Sequence, residues 1–230
     1  MAIRIEHRFL DRLLPVNETI TLQCVIIGTF NPAAPIIHML TSKERKEFAD
    51  IEKTKRYYRM SQVKNFYDRP QNRFWKIMDI IRDPAFYESN NFKIKNLQGV
   101  KYYMNTIMSR EEVFDRQQMF CRQNGIFITD LVRAIEPASF KDIYARFPDK
   151  AIERAKCEWN TSGISTMIDR YKPLKILVNL KLDEKSLPKI SEQIETLKKQ
   201  FGCMVTHVDS TSGSAGNSYL KLANSWKQHF

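Results

Sequence analysis

Three stretches of this chain place polar side chains at turns, where a side chain can meet a ligand. The first is Gly28-Thr29-Phe30-Asn31-Pro32, directly after the apolar run Val25-Ile26-Ile27. The Asn31 amide there can hold a water or a polar ligand edge, or it can close the turn before proline. The second is Tyr67-Asp68-Arg69-Pro70-Gln71-Asn72-Arg73-Phe74-Trp75. Tyr67 precedes a proline turn, and an aromatic face at such a place can stack on a planar base. Asn72 is either a ligand-facing amide or the cap of the helix that follows. Phe74 and Trp75 read as packing residues. The third is Asp209-Ser210-Thr211-Ser212-Gly213-Ser214-Ala215-Gly216-Asn217, rich in hydroxyls and glycine ahead of a terminal helix. Free backbone N–H groups and the dipole at a helix start favour phosphate, the plainer alternative being a turn capped by Asn217 or Ser218.

Several other chemistries lack their residues. Gly28 has no GxGxxG or P-loop around it, and no GxSxG or HExxH occurs. The histidines His7, His38, His207 and His229 are scattered, which argues against a hydrolytic triad. The four cysteines (Cys24, Cys121, Cys157, Cys203) stand far apart with no CxxC. That spacing argues against zinc or iron–sulfur binding and for reduced thiols in a cytoplasmic compartment. No apolar run approaches the ~18 residues that a membrane span needs. The first residues lack an apolar signal core, so export is not expected. Lys and Arg total 37 against 26 Asp and Glu, a net +11 that attracts phosphate backbones.

The elements that must position these stretches follow from apolar runs and punctuation. Short runs at 22–27 and 126–131 read as buried strands, and those at 175–179 and 203–208 as a third and a fourth strand. Helices are expected over 5–14, 41–60, 72–82, 109–123, 139–147, 149–170 (broken near 160–163), 184–201 and from 218. Ser109-Arg110-Glu111-Glu112 is a capping box, and Asn124-Gly125 is a C-terminal stop. Strands alternating with helices imply a parallel sheet with helices on both faces. Ligands bind outside the carboxyl ends of such strands. The loops at 28–35, 130–136, 180–186 and 209–217 therefore become the candidate site. The expected fold is one α/β domain, with a charged insertion around 33–66.

With these pieces in place the chain resembles the uracil-DNA glycosylase superfamily. Gly28-Thr29-Phe30-Asn31-Pro32 resembles its first active-site motif, G-x-N-P or G-x-D-P. Tyr67 to Trp75 resembles the F-x-H-P-x-N-R-F-W stretch of the mismatch-specific branch and the Y-Y-x-x-P-x-N-x-F-W of the hypoxanthine-DNA glycosylase-like branch. Gly125-Ile126-Phe127-Ile128-Thr129-Asp130-Leu131-Val132 resembles the G-x-x-x-T-D-L-V strand, and Ser210-Thr211-Ser212-Gly213-Ser214-Ala215 the second active-site loop. The resemblance covers about residues 20–228. Departures are the extra residue between Gly28 and Asn31, Arg69 in place of the motif histidine, and Asp209 beside the second loop.

The resemblance implies a three-layer α/β/α sandwich around a four-stranded parallel sheet. It implies a DNA glycosylase of base excision repair that flips a deaminated base such as uracil or hypoxanthine from double-stranded DNA and hydrolyses its N-glycosidic bond. It further implies Asn31 and Asn72 as catalytic amides, Phe30 and Tyr67 at the base, and Ser210, Thr211, Ser212 and Ser214 on phosphates. Because of the extra residue, either Phe30 or Asn31 falls at the catalytic position of the first motif. No metal or cofactor is implied, and a cytoplasmic monomer is expected. Two alternatives stand beside it: a glycosylase-fold protein that binds nucleic acid or nucleotide without cleaving, and a nucleotide-related hydrolase on the same fold.

Overall fold

A computed structural model describes residues 3–10, 21–32, 38, 40–54, 65–67, 72–82, 85, 109–139, 142, 148–180, 184–212 and 219–230. Among these, seven strands form: β1 (Ile5–Glu6), β2 (Cys24–Gly28), β3 (Ile126–Asp130), β4 (Val132–Glu136), β5 (Lys156–Trp159), β6 (Lys175–Val178) and β7 (Val205–His207). Seven α-helices accompany them: α1 (Ser42–Thr54), α2 (Phe74–Arg82), α3 (Arg110–Gln123), α4 (Asp149–Arg154), α5 (Thr161–Tyr171), α6 (Pro188–Phe201) and α7 (Tyr219–Lys227).

The central sheet is all parallel, in the order β3-β2-β6-β7. Its inner strands are continuous apolar runs because helices cover both faces. Val25, Ile26, Ile27, Ile128, Ile176, Leu177 and Val178 are all fully buried. The result is the expected three-layer α/β/α sandwich. The register sets the site: Gly28 lies beside Asp130, and Ile27 beside Val178. The carboxyl ends of β2, β3 and β6 therefore finish level, bringing Gly28, Asp130 and Asn179 to one edge.

A second sheet, β1-β4-β5, is antiparallel and lies outside the sequence expectation. Residues 5–14 read as helix, yet Ile5 and Glu6 pair with Ile135 and Ala134 of β4; positions 11–14 lie outside the described residues. The loop expected over 130–136 is mostly β4. The helix expected over 149–170 is α4 and α5 with β5 between them. Apolar spacing carried that helix pattern across Ala155, where α4 ends, so the break falls earlier than Asn160. β5 is only four residues long and alternates half-buried with exposed positions, too short a pattern to separate from a helix. The last sheet strand is shorter than expected, because Gly202–Met204 forms a 3-10 turn first. Of the expected helix over 139–147 only Ser139 and Asp142 are described. No helix among the described residues is long and apolar enough to cross a membrane.

Local chemistry explains the helix ends. Ser109 and Glu112 form the reciprocal box: Ser109 Oγ accepts the Glu112 N–H at 3.2 Å and Glu112 Oε2 accepts the Ser109 N–H at 2.6 Å. At the other end Gly125 takes φ 58°, and a Cβ there would lie 2.6 Å from the Thr21 carbonyl oxygen. The Gly125 carbonyl, just before β3, accepts the N–H groups of Gln23 and Cys24 at the start of β2. α2 packs on α7 through an edge contact of Phe74 on Trp226, with centroids 5.5 Å apart.

The Ser109 N–H and hydroxyl hold the Glu112 carboxyl below the usual carboxylate range. A value lowered on folding gives stability that is present at neutral pH and lost as pH falls through the folded value. Ser109→Ala is expected to cost about 1 kcal/mol in denaturant unfolding at neutral pH. The difference from wild type should narrow in acid, once Glu112 is protonated.

Candidate active site at the strand ends

Asp130 closes β3 and is fully buried. Its Oδ2 accepts two hydrogen bonds, from Asn31 Nδ2 at 2.6 Å and from His7 Nε2 at 2.8 Å. His7 Nδ1 in turn accepts the Phe9 N–H at 2.9 Å. An imidazole nitrogen that accepts carries no proton, so the neutral ring places its proton on Nε2, toward Asp130. Both donors to Asp130 Oδ2 are then uncharged.

The backbone holds this cluster. His7 N donates to the Arg133 carbonyl at 2.7 Å, and Arg8 N to the Asn31 carbonyl at 2.9 Å. His7 also forms an antiparallel bridge with Pro32. The segment after β1 thus lies along the Asn31 loop on one side and β4 on the other. Phe30 is buried, its ring edge-on to His7 with centroids 5.7 Å apart, and the Phe66 ring lies tilted against the imidazole with centroids 5.3 Å apart.

Asp130 Oδ1 points elsewhere. It and the Tyr67 hydroxyl are buried, and neither has a hydrogen-bond partner among the described residues. Both sit against Gly28: a Cβ at that position would overlap Asp130 Oδ1, and would lie 2.7 Å from Tyr67 Oη. Tyr67 itself takes φ 56°, a left-handed backbone that is strained for a bulky side chain. The residue is half-buried, and its ring packs on Phe74 with centroids 4.6 Å apart. Burial, and then the Asp130 charge, push the Tyr67 hydroxyl well above its usual range, so it stays protonated. Asn179 lies near enough to favour the ionised form slightly, but its amide is directed at Thr211.

A second cluster lies at the ends of β6 and β7. Asn179 Nδ2 donates to Thr211 Oγ1 at 2.9 Å, and Asn179 Oδ1 accepts the Thr211 N–H at 3.0 Å. Thr211 Oγ1 reaches Asn72 Oδ1 at 3.2 Å, and the Thr211 carbonyl accepts the Arg73 N–H at 3.0 Å. Asn72 Oδ1 also accepts the Phe74 N–H at 2.9 Å, opening α2. The capping and ligand-facing readings of Asn72 thus fall on different atoms: Oδ1 is used, while Nδ2 has no partner among the described residues.

The structure therefore gathers Phe30, Asn31 and Tyr67 around Asp130, and Asn72 and Thr211 around Asn179. Thr211 is fully buried and its hydroxyl is spent inside the protein. Ser210 is buried, its Oγ accepting the Ser212 N–H at 3.3 Å; Ser212 is half-buried. Ser214 lies outside the described residues. Sequence reasoning missed Asp130, Asn179 and His7 as site residues. The first two stand at the ends of apolar strands, which is a usable signal. His7 carries no local signal, since its partner is 123 residues away. Among the described residues no three His, Cys, Asp or Glu side chains gather as a metal site. Comparison with protein-family models, with curated proteins and with solved structures gives no match.

Two variants test this packing. Gly28→Ala must push Asp130 or Tyr67 aside and is expected to cost about 1–3 kcal/mol in denaturant unfolding. Tyr67→Phe removes a buried hydroxyl that has no partner and keeps the ring. It is expected to gain about 1 kcal/mol, or raise Tm by ~2–4 °C, in a thermal melt.

Proposed function

We propose that this protein is a DNA glycosylase that hydrolyses the N-glycosidic bond of a deaminated base, uracil or hypoxanthine, flipped out of duplex DNA. The observation that carries the reading is Asp130: a carboxylate held by two neutral donors, beside Asn31, at the carboxyl edge of a parallel sheet. Breaking an N-glycosidic bond leaves a cationic, oxocarbenium-like sugar and an anionic base. A fixed negative charge beside the sugar lowers that barrier, more so where water is excluded. The net +11 supplies the long-range attraction to phosphate.

Roles follow from the free atoms. Asp130 stabilises the sugar cation and takes the proton of the attacking water. Asn31 Oδ1 has no partner among the described residues and can orient that water. Asn72 Nδ2, a donor with no partner among the described residues, is suited to the oxygen of the departing base. The Tyr67 ring, at the stacking position of the motif it resembles, can lie against the flipped base. The resemblance of the motifs at 28–32, 67–75 and 125–132 points the same way.

One observation favours a second reading, binding without cleavage. Asp130 Oδ1 is enclosed by Gly28 and Tyr67, so a substrate meets it only after Tyr67 shifts. The two readings separate in one assay. Duplexes holding U·G or I·T pairs are incubated with the protein in excess, then treated with alkali. Strand scission at the lesion is expected. No scission with any lesion, together with salt-sensitive binding of the same duplexes, would instead establish the binding reading.

A further inference from the structure

We propose that His7 is the positioning residue for Asp130, selecting which carboxylate oxygen works while leaving the charge intact. The consequence for rate rests on the glycosylase reading; the arrangement itself does not.

Three observations converge on it. First, Oδ2 of Asp130 is filled twice, by His7 and Asn31, and Oδ1 is not filled at all. The two donors fix the carboxylate plane and leave Oδ1 as the oxygen with free lone pairs. Second, the donor is held in one state. The Phe9 N–H needs a lone pair on Nδ1, which puts the ring proton on Nε2. Phe30 and Phe66 restrict the ring, and its side chain is 1% exposed. Third, one segment sets both donors. Arg8 donates to the Asn31 carbonyl while His7 bridges to Pro32, so a shift of this segment moves the Asn31 amide and the imidazole together.

Histidine suits this place in a way lysine or arginine would not. A permanent cation against Oδ2 would cancel the charge that a cationic sugar needs. A neutral imidazole N–H orients the carboxylate and subtracts little from it. Nothing in the local sequence around His7 carries this role; it exists because β1 pairs with β4, immediately after Asp130.

The test uses the full chain and two readouts. Long-range 15N–1H NMR of the free protein should show His7 protonated on Nε2 and unprotonated on Nδ1. His7→Leu and His7→Gln are then compared with wild type in single-turnover excision from a U·G or I·T duplex and in affinity for that duplex. Glutamine can donate to Asp130 and accept from Phe9, whereas leucine can do neither. His7→Leu should slow excision about a hundredfold, the scale of a misplaced reacting group, with DNA affinity unchanged. His7→Gln should recover most of that loss. A proton on Nδ1, or on both nitrogens, overturns the proposal, as does a wild-type rate in folded His7→Leu or a Gln variant as slow as Leu. If wild type excises no lesion, the glycosylase reading fails separately, and the NMR pattern alone decides whether His7 holds Asp130 as a neutral donor.

Discussion

A carboxylate taken out of water costs several kcal/mol unless donors replace the lost solvent. In this protein that requirement falls on Asp130, and much of the visible architecture answers it. The parallel register puts Asp130 beside Gly28. The side-chain-free position at 28 lets the carboxylate and Tyr67 close in. The antiparallel sheet brings His7 across from the start of the chain, and the Asn31 loop supplies the second donor. Two neutral partners satisfy one oxygen. The other oxygen stays unsatisfied, which is a stability cost of the kind that concentrates at functional sites.

The neighbouring cluster is of the opposite kind. Asn179, Thr211 and the Asn72 side-chain oxygen exchange hydrogen bonds and tie the first turn of α2 to the ends of β6 and β7. Their exchange of hydrogen bonds makes a rigid frame, and Arg73 and Trp226 extend it: Arg73 N donates to Thr211, and the Trp226 indole to the Asp209 carbonyl at 2.9 Å. One edge of the sheet therefore carries a strained, underbonded pair at Tyr67 and Asp130 beside a well-bonded support. A site whose groups must be placed precisely depends on such a support.

Legibility in the sequence tracked how local each signal was. The buried parallel strands read directly, because each is a run of consecutive apolar residues bounded by punctuation. The capping box at Ser109 and the stop at Gly125 read directly too, since both are made of neighbours. The outer sheet did not. β1 has two residues, β5 has four, and β4 interrupts its apolar pattern with Arg133 and Glu136, so their pairing rests on tertiary contact. For the site, Asn31, Tyr67 and Asn72 were legible as polar groups at turns. The carboxylate between them was visible only as part of a strand motif. His7 was illegible because its role is created by a fold that joins positions 123 residues apart. Thr211 shows the converse: a hydroxyl in a polar loop reads as phosphate-facing, yet it is buried and bonded to partners at 72 and 179.

The most direct measurement is single-turnover base excision by Asp130→Asn, with its DNA affinity measured alongside. This substitution keeps the shape of the group and removes its charge. If a retained carboxylate charge drives bond breakage, the rate falls by roughly a hundredfold or more while affinity and fold persist. A variant that excises at the wild-type rate would contradict that assignment and leave Asp130 as a structural anchor.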